Sequence, residues 1–301
     1  MPSKIQQYFL NGGTLEYLEK DLFLHIKRHP KYANLVQFTY NQIDSPKYDP
    51  LVIEARGIIL DESDNWNVVC HSFDRFFNIT ENPSTEPSFE GSRIQEKVDG
   101  SLCQAYYYAD IWHVGTKKMP DAGGEVNGFG FTFADLFWRI AKEQDIIRHL
   151  YKHLTWAFEL TSPYNYNVVK YKECKLTLIG IRNNKTGQEV PVRFYSHIPA
   201  LNVVKEYHFG SKQDMLDFAK NLNGFENEGF VVVDNEFRRM KVKGIHYLSL
   251  AHLKDGFSPK RVLEVIRSAE KAEMDSYVSA WPEWKPVFEE VSDKYERLIV
   301  R

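Results

Sequence analysis

The sequence predicts an α+β fold, with one large domain of antiparallel and mixed sheets with flanking helices and a small all-α segment at its C-terminal end. Three observations carry this expectation. Short β-branched or aromatic runs succeed one another from residue 56, each bounded by polar breaks. Helical periodicities interrupt them at irregular intervals, unlike the regular alternation of a doubly wound sheet. Beyond residue 258 only helical signals remain. A chain of 301 residues is about twice the usual single-domain length, and the expected division is 1–250 and 251–301.

Along the chain, Leu15, Leu18, Leu22 and Ile26 recur at helical spacing among charges and predict one amphipathic helix over 14–27. RGIIL (56–60), NVVC (67–70), RIQEK (93–97), LCQAYYY (102–108) and IWHVG (111–115) read as antiparallel strands, with Ala109-Asp110 as a tight hairpin turn. Residues 119–130 hold four glycines and a proline and read as a loop. A long helix is expected over 132–154, opened by a capping box of Thr132 and Asp135, with Leu136, Ile140, Ile147 and Leu150 on one face. WAFEL (156–160), KLTLIGI (175–181), FVVVD (230–234) and RMKVK (239–243) are further strands, around a helix near 212–222 capped by Ser211. Ser258-Pro259 opens a last helical region in which Val262, Ile266 and Ala269 share a face.

Hydrophobic residues at 43% and charged residues at 26% exclude a disordered chain. No stretch approaches the ~20 apolar residues that span a bilayer, and the first residues lack a basic lead and an apolar signal core, so no membrane association and a cytoplasmic location are expected. Three scattered cysteines suggest neither disulfides nor a zinc site. His149 and His153, four apart on the expected helix, lack a third metal ligand. With 38 basic and 41 acidic residues the net charge is −3, so any polyanion must be held by a local patch. Neither GxxxxGK[ST] nor GxGxxG occurs.

Chemistry concentrates in EKVDGSL (96–102), where a strand ends in Lys97 and an Asp-Gly turn follows. A lysine at a strand end, beside a glycine that lets a phosphate approach the backbone, is placed for nucleophilic attack, although KxDG alone is more often an ordinary hairpin turn with a solvated lysine. Its companions are Phe158-Glu159, Glu228-Gly229-Phe230-Val231 and Lys241-Val242-Lys243. Strand alternation puts Lys241 and Lys243 on one face and Met240 and Val242 on the other, so a half-buried strand would aim two cations the same way.

In this order the four segments resemble the covalent nucleotidyltransferases, the superfamily of ATP-dependent ligases and mRNA capping enzymes. Ala55-Arg56-Gly57-Ile58-Ile59, Phe76-Phe77-Asn78 with Glu81-Asn82-Pro83, the KxDGSL core and Tyr247-Leu248-Ser249-Leu250 narrow the resemblance to the phage-type RNA ligase 1 family, from about Thr39 to His252. The resemblance implies an ATP-grasp-like nucleotidyltransferase domain with Lys97 as the adenylylated nucleophile. It implies catalytic roles for Glu159, Lys241 and Lys243, and an ATP site lined by Tyr40, Arg56, Arg75, Phe77, Gly100, Lys117, Glu159, Glu228, Lys241 and Lys243, with Tyr247 a weaker correspondence. Phe77 is the implied adenine platform. Two features depart from the family: Arg75 stands where the family has lysine, and the helical tail is shorter than in its best-known member.

The resemblance further implies ATP as cosubstrate and Mg²⁺, with Mn²⁺ as a substitute, near Glu159 and Glu228, directly or through water. RNA with 5′-phosphate and 3′-hydroxyl ends, including nicked tRNA, is the implied partner, with no obligate protein partner. A free lysine of pKa ~10.4 is neutral about once in 2,500 molecules at pH 7. Lys241 and Lys243 are therefore expected both to favour a neutral attacking amine and to neutralise the transferring phosphate. Lys117-Lys118 and Arg238-Arg239 are the candidate RNA contacts. An mRNA guanylyltransferase and a catalytically silent RNA-end binder remain as alternatives. Capping enzymes normally add an OB-fold after the paired lysines, whereas the roughly 58 residues after Lys243 read as helices.

Overall fold

The computed structural model describes residues 3–79, 81, 86–254, 263 and 285–299. In chain order its elements are α1 (Lys4–Leu10), α2 (Leu15–Lys20), β1 (Leu24–Arg28), β2 (Leu35–Tyr40), α3 (Pro50–Glu54), β3 (Arg56–Asp61) and β4 (Asn67–Cys70). There follow β5 (Phe77–Asn78), β6 (Arg93–Glu96), β7 (Ser101–Tyr108), β8 (Ile111–Thr116), α4 (Phe133–Glu143), β9 (Leu154–Thr161) and β10 (Lys175–Asn183). The remainder comprises β11 (Asn202–Val203), β12 (Glu206–Tyr207), α5 (Lys212–Lys220), β13 (Gly229–Val233), β14 (Arg239–Lys243), α6 (Ile245–Lys254) and α7 (Lys285–Ile299).

The strands form three sheets, ordered β1-β2-β3-β4, β11-β10-β9-β7-β8 and β12-β6-β13-β14-β5. Pairing is antiparallel throughout except for β10 with β11 and β14 with β5. The expected α+β fold with mixed sheets is what the chain adopts. Each sheet buries one face under a helix. Ile5 of α1 and Leu18 of α2 pack on Phe38 and Ile58 of the first sheet. Leu136, Phe137 and Ile140 of α4 pack on Phe158 and Leu176 of the second. Met215 and Ala219 of α5 cover Phe230, Val232, Met240 and Val242 of the third. Met240 and Val242 thus take the core face, and truncating a fully buried ring such as Phe230 would cost about 3–5 kcal/mol.

Local signals placed several elements well. Thr132 and Asp135 form the reciprocal capping box that starts α4. The Ser211 side chain accepts from Asp214 N–H at the start of α5. Ala109 and Asp110, at φ +48° and +63°, make the doubly left-handed turn that matches the twist of the β7–β8 hairpin.

Two helices are shorter than their periodicity suggests. The helix expected over 14–27 stops at Lys20; Phe23 takes φ +52°, and Leu24 and Ile26 join β1, where they pair with Tyr40 and Phe38. Pairing with β2 overrides an apolar spacing that fits either period. The helix expected over 132–154 ends at Glu143, and Asp145 at φ +55° turns the chain. Ile147–His149 forms only a 3₁₀ turn, so Leu150 is buried without being helical and His149 and His153 do not share a helix face. Helix α6 spans 245–254, across the position of the expected division at 250/251. The helical start at Ser258-Pro259, with Val262, Ile266 and Ala269, lies outside the described residues, whereas α7 is helical as expected. Among the described residues no helix is long and apolar enough to cross a membrane. Cys70 and Cys103 are free and buried, and burial pushes the Cys70 thiol up to about 12.

Candidate active site

Lys97 leaves the end of β6, where its N–H donates to Gly229 O at 2.9 Å. Because β13 lies between β6 and β14, with Phe230 opposite Glu96 and Gly229 opposite Lys243, the residue before β13 falls between two lysines. That residue is Glu228, 4% exposed. Its Oε2 lies 2.6 Å from Lys97 Nζ and its Oε1 lies 2.8 Å from Lys243 Nζ. The strands approach so closely here that a Cβ on Gly229, which sits at φ +141°, would run into Val242 O.

The Asp-Gly turn is fixed from below. Asp99, 2% exposed, accepts from Val168 N–H at 2.8 Å and Val169 N–H at 2.9 Å through Oδ2. Its Oδ1 accepts from Asn167 Nδ2 at 3.0 Å and from the Tyr247 hydroxyl at 2.8 Å. One carboxylate therefore ties the Lys97 turn to the 167–169 loop and to α6. A Cβ on Gly100 would run into Leu160 O, so the turn's glycine answers a backbone contact with β9.

Glu159 reaches the site from the second sheet, opposite Leu102 of β7. Burial pushes its carboxyl up to about 7; Lys97 opposes that shift and Glu228 adds to it. Burial, reinforced by Lys97, Arg56 and Lys243, brings Lys241 down to about 8. Lys241 and Lys243 share the face of β14 opposite Met240 and Val242, as alternation predicts.

Beside these groups stands a second cluster. Lys117 Nζ lies 3.9 Å and Arg75 Cζ 4.1 Å from the Tyr40 ring centroid, and Arg56 Cζ lies 4.9 Å from the Phe76 ring. Burial raises the Tyr40 hydroxyl, but Lys117, Arg56 and Arg75 outweigh it and hold it below its ordinary value. Among the described residues, Nη1 of Arg56 and Nη1 of Arg75 are buried without a hydrogen-bond partner, donors that a bound anion would satisfy. Phe77 is 5% exposed and has Tyr48 at 5.4 Å and the Arg75 guanidinium at 5.5 Å from its ring.

Both oxygens of Glu228 are engaged by lysines, and among the described residues no group of three His, Cys, Asp or Glu side chains could hold a metal. Among the described residues Glu159 has no such lysine partner, so it is the carboxylate of the site that could meet a divalent cation. Of the candidate RNA contacts, Lys118 is exposed, while Lys117 sits over Tyr40. Arg238 is an exposed partner of Asp234 at 2.7 Å. Arg239 is not a surface cation: its side chain is 8% exposed and Glu189 grips it at 2.7 and 2.5 Å. Glu189 also holds Arg182 Nη2 at 3.0 Å. Sequence reasoning missed Asp99 as a clamp and this Arg182–Glu189–Arg239 group, because the partners of Asp99 and the Glu189–Arg239 contact are distant in the chain and no local pattern marks them.

Comparison with known proteins identifies the family. The sequence profile of the RNA ligase family, in its phage ligase 1 branch, matches residues 54–248, from Arg56 through Lys97 to Lys243. The chain belongs to the RNA ligase family. A relative in Autographa californica nuclear polyhedrosis virus, assigned as a bifunctional polynucleotide kinase/RNA ligase, is 30% identical over 96% of this chain and 43% of its own length. The RNA ligase of Rhodothermus phage RM378 is 24% identical over 73% of this chain and 65% of its own. The chain thus spans about two fifths to two thirds of the length of these relatives. An archaeal ATP-dependent RNA ligase structure shares the fold at TM-score 0.54 and 15% identity, covering 97% of this chain and 76% of that one. The shared fold therefore extends over the first sheet, of which β1 and β2 lie ahead of the matched residues.

Proposed function

We propose that this chain is an ATP-dependent RNA ligase that joins a 5′-phosphate to a 3′-hydroxyl through a lysyl-AMP on Lys97. The observation that carries the reading is Glu228 held between Lys97 and Lys243, with Lys241, Arg56 and Glu159 around the same centre. In the first step the Lys97 amine forms a P–N bond to the α-phosphorus of ATP and pyrophosphate leaves. Glu228, at 2.6 Å, is the acceptor for the proton that Lys97 must shed. Lys241 and Lys243 face the charge that develops on the transferring phosphate. In the second step an oxygen of the RNA 5′-phosphate attacks the same phosphorus and Lys97 departs. In the third, the 3′-hydroxyl attacks the RNA phosphorus and AMP leaves.

The unpartnered Arg56 and Arg75 groups support binding of the nucleotide's phosphates, and the aromatic wall of Tyr40 and Phe77 supports binding of its base and sugar. A divalent cation, Mg²⁺ or Mn²⁺, bound through those phosphates and Glu159, would supply charge neutralisation for an in-line displacement. Relatives and fold favour RNA as the nucleic acid, and nicked tRNA is a natural test substrate. The deciding experiment incubates the purified chain with Mg²⁺ and α-labelled ATP or GTP and resolves the products on a denaturing gel. Label from ATP alone, lost in Lys97→Ala, is the expected result. Label from GTP would replace the ligase with a guanylyltransferase, and no label from AMP-free protein would leave a silent RNA-end binder.

A further inference from the structure

The glycine-rich segment before α4 carries an aromatic surface that the nucleotide site does not use. Phe129 lies between Gly128 and Gly130, both left-handed at φ +79° and +76°, and is 53% exposed. Its ring centroid is 5.0 Å from that of Tyr164 and 6.2 Å from that of Phe131, and Phe131 is 5.3 Å from Tyr164. Arg139, exposed on α4, places its guanidinium 5.5 Å from the Phe131 ring and 6.0 Å from the Tyr164 ring. Nearby in sequence, Tyr166 is 39% exposed with Lys170 Nζ at 5.9 Å. The acidic side chains of the segment are committed elsewhere: Asp121 to Gly123 N–H, Glu125 to Gly130 N–H and Asp135 to Thr132.

This surface is hydrogen-bonded within itself and tied to the nucleophile's turn. Asn127 Nδ2 donates to Tyr164 O at 2.7 Å, and Val126 N–H donates to Phe131 O at 2.9 Å. From the same 164–167 stretch, Asn165 Nδ2 donates to Ser101 Oγ at 3.0 Å, and Asn167 Nδ2 to Asp99 Oδ1 at 3.0 Å and Gly100 O at 3.2 Å. Phe131 and Tyr164 are half-buried against the core of the second sheet and back the exposed Phe129 ring. An exposed ring beside cations stacks unpaired bases, whereas a duplex keeps its base faces internal and offers such a ring nothing to stack on.

We propose that Phe129, Phe131, Tyr164 and Arg139 form a stacking platform for unpaired nucleotides adjoining the RNA end presented to Lys97; this rests on the RNA ligase reading above. The test measures binding of a 5′-phosphorylated single-stranded RNA to the whole chain by fluorescence anisotropy, with lysyl-AMP formation assayed in parallel without RNA. Phe129→Ala is expected to weaken RNA binding roughly 5- to 150-fold, the loss of one stacked base. Phe129→Trp is expected to restore it, with lysyl-AMP formation as in the parent in both variants. Unchanged RNA affinity in Phe129→Ala would overturn the platform, as would a change confined to self-association of the chain. If the parent takes no label from ATP yet Phe129→Ala still loses RNA, the ligase reading falls and the platform stands.

Discussion

Glu228 Oε2 lies 2.6 Å from Lys97 Nζ, so the nearest charged neighbour of the proposed nucleophile is a carboxylate. The sequence suggested cations around Lys97; the fold inserts an anion between Lys97 and Lys243 and leaves Lys241 as the cation not held by that carboxylate. One carboxylate offsets only one of these two lysine charges, so the centre stays net positive until nucleotide phosphates arrive.

Lys97→Ala is expected to abolish covalent AMP attachment, and Lys97→Arg to do the same, because a guanidinium is not deprotonated in proteins and is a poor nucleophile. Intact-mass measurement after incubation with ATP reads this directly as the presence or absence of the adenylyl increment. An increment retained in either variant would place the nucleophile elsewhere.

Glu228→Ala removes the common partner of two lysines that are 20% and 25% exposed. A loss on the order of 2–3 kcal/mol is expected, from leaving adjacent cations unopposed. Glu228→Gln keeps the shape without the charge and is expected to fold well while forming lysyl-AMP much more slowly. Thermal melts together with single-turnover adenylylation separate the two effects.

The rate of adenylylation in the kcat/KM regime is expected to follow a bell against pH. Glu159, raised to about 7, gains its charge as pH rises through that value, and Lys241, lowered to about 8, loses its charge above it. Glu159→Gln is expected to remove the acidic limb. The same raised value has a stability sign: the folded state holds the Glu159 proton more tightly than the unfolded chain, so it gains below the unfolded carboxyl pKa and loses that gain as pH rises past 7. Glu159→Gln should accordingly melt higher than the parent at pH 8.5 and show no such advantage near pH 4.

Gly100→Ala is expected to destabilise the chain and slow adenylylation together, since the added Cβ meets the Leu160 carbonyl and pushes the Lys97 turn away from β9. Asp99→Asn isolates the positional part: it retains size but weakens acceptance from Val168, Val169 and Tyr247. A reduced rate with unchanged affinity for ATP is the expected kinetic signature. Parental kinetics in both variants would show that the turn needs no such anchoring.

The sequence by itself determined the strands that carry the chemistry and the order of the reactive residues along them. Alternation in Arg239–Lys243 sufficed to place Lys241 and Lys243 on one face, and the Thr132 and Ser211 caps sufficed to start α4 and α5, because those signals act within a few residues. Tertiary structure alone decided which groups meet. Glu228 bridges Lys97 and Lys243 only because β13 pairs with both β6 and β14, Asp99 clamps residues 68 to 148 positions away, and Leu24 and Ile26 abandon a helical spacing to pair with β2. Such contacts depend on register and burial between distant segments, which local periodicity does not encode.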